Sequence, residues 1–231
     1  QAQDPADPYS RPLQPHGFDF GRATRFRFAV PARKDLEFFG DHDAEQLFFD
    51  AVERLHALGG SAVEIDFAPF LDVARLLYDG PWVAERYQVS RDFVDAQPAA
   101  LLEVTRGITL GGAGLSAADT FAAQYRLRAL QRLCDPVWDR VDCIVTPTTG
   151  TIFTRAQCMA EPLARNTDLG RYTNVVNLLD YAAGAVPAGF RRDGLPLGRV
   201  EISRLDGKRQ GLVEPRVEVV GVRRVVSAQA G

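Results

Sequence analysis

Residues 25–67 constrain the fold more than any other stretch. RFRFAVPA (25–32) alternates apolar and polar positions as a strand does. DAEQLFFDAVERLHALGG (43–60) sets Leu47, Phe48, Ala51, Leu55 and Leu58 on one helical face and stops at a Gly-Gly pair, and SAVEIDF (61–67) returns as a strand. A helix of this length between two strands is what a parallel crossover needs, and such crossovers imply a sheet covered by helices. The unit predicts an α/β fold.

The middle of the chain reads as helix. LLYDGPWVAERY (76–87) breaks it at Gly80 and Pro81: glycine past a helix end takes the left-handed conformation cheaply, and proline suits the first position of the next helix. Tyr78 and Arg86 flank that break. On one straight helix, residues eight apart are about 12 Å apart along the axis and roughly 80° apart around it, so their polar tips would not meet. A corner lets them converge. The bland alternative is a surface arginine paired with Glu85 or Asp79 beside a half-buried tyrosine.

Two further helical stretches, 81–97 and 99–112, lead to Ser116, whose hydroxyl can cap a long helix while Asp119 reaches back. That helix is expected to run through Phe121, Tyr125, Leu130, Leu133 and Val137. DCIVTPTTGTIFT (142–154) reads as a buried strand opening into a polar loop, where ligands of open α/β sheets usually sit. TNVVNLLD follows as a helix and AAGAVPAGF as another buried strand.

Composition excludes several function classes. The 231 residues carry a net charge of −3, and from residue 191 on nine Arg/Lys stand against five Asp/Glu, so the preceding body is acidic. No basic stripe of the kind a phosphate backbone requires runs through it, so nucleic acid is not an expected partner. The chain has no apolar run of the roughly 18–20 residues that a membrane span needs, and the N-terminal residues lack a basic-then-apolar leader. No membrane association and a cytoplasmic location are expected. Cys134, Cys143 and Cys158 match no metal spacing, the histidines His16, His42 and His56 stand apart from them, and no cofactor is expected.

Candidate nucleophiles are few. GGS (59–61) lies between helix and strand, the reverse of the order used by nucleophile and phosphate loops, and reads as a turn. GGAGLS (111–116) is a glycine-rich connection with no lysine after it to meet a phosphate. The two lysines, Lys34 and Lys208, have no serine pair beside them, and the six serines are never adjacent.

LEFFGD (36–41), VEIDFAPF (63–70), LLYDGPWVAERY, VTPTTGTIFT (145–154) and NTDLGRYTNVVNLLDYAAGAVPAGF (166–190) together resemble the C-terminal half of the amidase domain in the allophanate hydrolase branch of the amidase signature family. VPAG and the Asn177–Leu178 pair are similar to the broad family, and GPWVAERY and LGRYTNVVNLLD to the allophanate branch. The match divides the chain into a Pro-rich linker (1–24), the amidase half (25–198) and a divergent basic tail (199–231), within which RVEVVGV (216–222) alternates like a strand.

The resemblance implies a partial amidase-signature fold, a mixed β-sheet flanked by helices, and hydrolysis of a small-molecule substrate, allophanate, to ammonia and carbon dioxide in urea degradation. It implies an N-terminal amidase half and urea carboxylase as partners. The family's lysine, bridging serine and nucleophilic serine belong to the half preceding residue 1, so no catalytic residue is assigned here and the chain alone is expected to be inactive. Tyr78 and Arg86 match the family's substrate-carboxylate clamp. A different amidase, or a non-catalytic fragment that complements a separate half, are the competing expectations.

Overall fold

The computed structural model describes residues 4–7, 10 and 25–204. Its elements run β1 (Phe26–Pro31), α1 (His42–Ala57), β2 (Gly60–Ile65), α2 (Ala68–Asp79), α3 (Trp82–Ala96), α4 (Glu103–Gly111), α5 (Ala117–Cys134), β3 (Cys143–Pro147), α6 (Arg155–Ala160), α7 (Pro162–Gly170), α8 (Asn174–Leu178), β4 (Tyr181–Phe190) and β5 (Pro196–Arg204). Most of the linker, with His16, and residues 205–231, with Lys208 and RVEVVGV, lie outside the described residues.

Among these residues the sheet has five strands in the order β2-β1-β3-β5-β4. β1 pairs with β2 and β3 in parallel, whereas β5 pairs with β3 and β4 antiparallel. The sheet is mixed, as expected. The β1-α1-β2 crossover forms because α1 buries Ala44, Phe48, Ala51, Val52 and Leu55 along one stripe, while Asp41 caps its start by accepting from the Ala44 N–H. Phe28, Ile144 and Ile202 from three adjacent strands are almost fully buried with Phe48 and Leu55 of α1, and this continuity makes one core.

The surroundings of one expected strand, and the extent of the sheet, differ from expectation. AAGAVPAGF reads as a buried strand; it is β4, whose burial alternates because it occupies the end of the described sheet. An edge position also explains how the strand accommodates Pro187 beside a register shift. The sheet then continues past the end of the sequence resemblance: Arg199–Arg204 belong to β5, an inner strand between β3 and β4. Arg199 and Glu201, two apart on one face of that strand, form a buried ion pair at 2.9 Å, each side chain about 5% exposed.

α5 begins as expected, with Ser116 and Asp119 exchanging hydrogen bonds in a capping box. Its apolar stripe is another matter. Leu130 and Cys134 are buried, but Phe121, Tyr125 and Leu133 are exposed at 56%, 72% and 61%. Val89 and Phe93 of α3 and Leu102 before α4 are exposed as well. A helix that leaves large apolar residues in water has nothing among the described residues to pack them against. The isolated chain is therefore expected to bind a hydrophobic dye and to associate as concentration rises, measured by dye fluorescence and sedimentation. A monomer with a sharp cooperative melt and no dye binding would contradict this.

Candidate functional site

The α2–α3 corner brings Tyr78 and Arg86 together. Helix α2 ends at Asp79, Gly80 caps it, Pro81 precedes α3, and the Arg86 guanidinium carbon stands 5.1 Å from the centroid of the Tyr78 ring. A cation held over a ring face at an exposed site gains about 0.5–1 kcal/mol and keeps its N–H donors for other partners. Among the described residues, no carboxylate lies within salt-bridge distance of Arg86, and Glu85 and Asp79 on either side are both exposed. The guanidinium meets the face of the Tyr78 ring rather than its hydroxyl, and the corner is built differently from expectation. Gly80 is extended (φ −101, ψ −179) rather than left-handed. Glycine is needed there for space: a Cβ would lie 2.5 Å from the Leu76 carbonyl oxygen and 2.9 Å from the Trp82 ring.

The other quoted motifs meet at the opposite end of α2. Tyr172, fully buried, accepts from the Glu37 N–H at 2.7 Å and donates to the Glu37 carbonyl at 3.1 Å. Its ring packs 6.4 Å from Phe67, which stacks on Phe70 at 4.9 Å. Gly150 admits the Glu37 carbonyl, which a Cβ there would approach to 2.2 Å, and Phe39 meets Phe153 at 6.1 Å. Phe39 and Gly40 are both left-handed (φ 54 and 77), turning the chain so that Asp41 can cap α1 and accept from the Thr151 hydroxyl at 2.7 Å. LEFFGD, VEIDFAPF, VTPTTGTIFT and LGRYTN thus form one packed cluster. Tyr78 lies ten residues further along α2 than Ala68, roughly 15 Å along the helix axis.

A shallow cavity of about 360 Å³ opens beside that cluster, lined by Asp41, His42, Asp43, Thr151, Arg191 and Arg192 among others. Its charges are already matched. Arg191 lies 2.7 Å from Asp41, and Arg192 lies 2.7 Å from Asp43, whose carboxyl is held below its ordinary range chiefly by hydrogen bonds from Arg192. The arrangement ties the β4–β5 connection to the start of α1.

Several of the described groups able to do acyl-transfer chemistry are engaged elsewhere. Lys34 bonds Asp66 at 2.8 Å and Asp35 at 3.2 Å, and these hydrogen bonds raise its pKa above 10.5, so it stays protonated and cannot serve as a neutral base. Burial pushes the Cys134 and Cys143 thiols up to about 12, which removes them as nucleophiles near neutral pH. Ser116 and Ser90 donate to Asp119 and to the Arg86 carbonyl. His42 and His56 are exposed on α1, with His56 Nδ1 3.0 Å from the Gly60 carbonyl oxygen.

Comparison with known proteins settles the family. The amidase family matches residues 1–203. The chain belongs to the amidase family. It is 39% identical over 194 residues to the urea amidolyase of Saccharomyces cerevisiae, covering 83% of this chain and 10% of that protein. The structure of Kluyveromyces lactis allophanate hydrolase superposes with a TM-score of 0.75 at 36% identity, over 78% of this chain and 30% of that one. A bacterial aryl acylamidase, at 19% identity and a TM-score of 0.61 over 87% of this chain and 45% of that one, shares the fold. The chain thus spans about a tenth of the urea amidolyases it matches.

Sequence reading of this amidase chain missed the ties that hold the motif cluster. The two hydrogen bonds between Tyr172 and Glu37 join residues 135 apart, and Thr151 reaches Asp41 across 110. No local period announces such pairs. Nor does the sequence separate Gly112, which meets the α3 backbone, from Gly111 and Gly114 in the same glycine-rich connection, which meet nothing within 4 Å.

Proposed function

We propose that this chain carries the substrate-carboxylate side of an amidohydrolase that cleaves allophanate at a C–N bond, releasing ammonia. The observation that carries the proposal is the Arg86 guanidinium, held over Tyr78 with no carboxylate of the described residues to neutralise it. A planar guanidinium meets a carboxylate through two parallel N–H bonds, and the Tyr78 hydroxyl adds a third donor. Similarity to urea amidolyase and allophanate hydrolase supports allophanate as the acid, its carboxylate lying across one bridging N–H from the amide carbonyl to be attacked.

Anchoring that carboxylate holds the amide carbonyl in a fixed place relative to an attacking group, which converts binding into orientation. The attack itself needs a serine activated through a neutral lysine, and an oxyanion held by backbone N–H groups. Lys34, locked as a cation, does not supply it. The lysine and both serines come from amidase sequence outside these 231 residues, and urea carboxylation supplies the substrate. The site works in the cytoplasm.

The chain alone is expected to release no ammonia from allophanate, whereas the domain completed by a segment bearing the lysine and serines is expected to do so. Ammonia release by the chain free of host amidase would reveal a nucleophile within it. Failure of the completed domain to consume allophanate, while it hydrolyses uncharged amides, would assign it to a different amidase.

A further inference from the structure

We propose that Gly112 is a positioning residue for the carboxylate clamp, an inference that rests on the reading of Tyr78 and Arg86 given above. Gly112 has φ −71 and ψ −23, a right-handed conformation open to any residue, so glycine is not there for backbone freedom. What it provides is contact. A Cβ at Gly112 would lie 2.4 Å from the Val83 carbonyl oxygen, 2.7 Å from the Val83 carbonyl carbon and 2.8 Å from the Ala84 Cα. All three are backbone atoms of the first turn of α3, which no side-chain rotation can move aside.

Its neighbours lack this constraint. A Cβ at Gly111 or Gly114 meets nothing within 4 Å. The glycine-rich connection after α4 therefore presses one residue, Gly112, against α3. At the corner before α3, Gly80 admits the Leu76 carbonyl and the Trp82 ring. The start of α3 thus has two close approaches that glycine permits, one at the corner and one from the α4–α5 connection. Arg86 lies three residues beyond Val83, on the same side of the helix one turn later.

Adding a methyl group at Gly112 forces the backbones apart by about 1 Å, and a shift of that size in a positioning element costs up to roughly 100-fold in rate. The shift acts on the angle at which Arg86 leaves α3, and hence on its approach to Tyr78. Loss of packing alone would weaken binding of every substrate alike. Misdirection of Arg86 acts only on substrates with a carboxylate.

The test compares Gly112→Ala with Gly111→Ala. In the chain itself, the Tyr78 ring should shift the Arg86 side-chain proton resonances upfield; Gly111→Ala should keep that shift and Gly112→Ala should lose it, with the amide dispersion of β1, β3 and β5 unchanged in both. In the completed domain, Gly112→Ala should lower kcat/KM for allophanate by about 10- to 100-fold while changing that for biuret, its uncharged diamide analogue, by less than about threefold. Retention of the Arg86 shift in Gly112→Ala would overturn the proposal, as would collapse of the sheet resonances, which would make Gly112 a residue of the core. If the Arg86 shift is lost but both substrates respond equally, Gly112 positions Arg86 and the clamp reading itself fails.

Discussion

Glu201→Ala is expected to lower the free energy of unfolding by about 3–5 kcal/mol near neutral pH, because it leaves the Arg199 guanidinium buried without its partner. Arg199 and Glu201 are each 4% exposed on an inner strand, flanked by β3 and β4. Burial raises the Glu201 carboxyl above its ordinary 4.5 more than Arg199 lowers it, so the environment disfavours the charged form. A carboxyl whose folded pKa is raised weakens the fold as pH climbs from 4.5 through that raised value, where the folded protein must give up a proton it holds more tightly than the unfolded chain does. Breaking the pair is therefore costly, yet keeping it brings little stability. Replacing both residues together, Arg199→Met with Glu201→Leu, should be neutral or stabilising by about 1–4 kcal/mol and should flatten the pH slope just above 4.5. Urea unfolding of the three proteins at neutral and mildly acidic pH measures both effects. A loss under about 1 kcal/mol for Glu201→Ala would mean that water reaches Arg199.

The sequence announces some parts of this molecule and hides others for physical reasons. Alternation in RFRFAVPA and the helical stripe of α1 are local signals, and they lead directly to a parallel crossover in a helix-covered sheet. The Ser116 capping box is equally local. The place of β4 is not: AAGAVPAGF is apolar enough for a buried strand, and only pairing with β5 puts it at the end of the described sheet. Likewise, Phe121, Tyr125 and Leu133 mark the helix but not its surroundings, and their exposure depends on which elements fold nearby. At the corner, Gly80 and Pro81 mark the break correctly, while the reason for glycine is the Leu76 carbonyl and the Trp82 ring rather than a left-handed turn.

Arg86→Ala is expected to cost the completed domain on the order of 100-fold or more in kcat/KM for allophanate, since each hydrogen bond to a charged partner contributes about 1.5–3 kcal/mol and the guanidinium supplies two. Arg86→Lys keeps the charge but loses the two-pronged geometry, so most of the loss should remain. Tyr78→Phe removes one neutral donor and leaves the ring beneath Arg86. Its cost should be nearer tenfold, roughly one hydrogen bond's worth. None of the three should greatly affect an amide without a carboxylate, because a site built to pair a charged group gains nothing from that pairing when the substrate lacks it. The deciding measurement is the ratio of kcat/KM for allophanate to that for biuret in wild type and Arg86→Ala. A clamp predicts that the ratio falls by about 100-fold; a fall of both substrates by the same factor, leaving the ratio unchanged, would make Arg86 a structural residue of the corner.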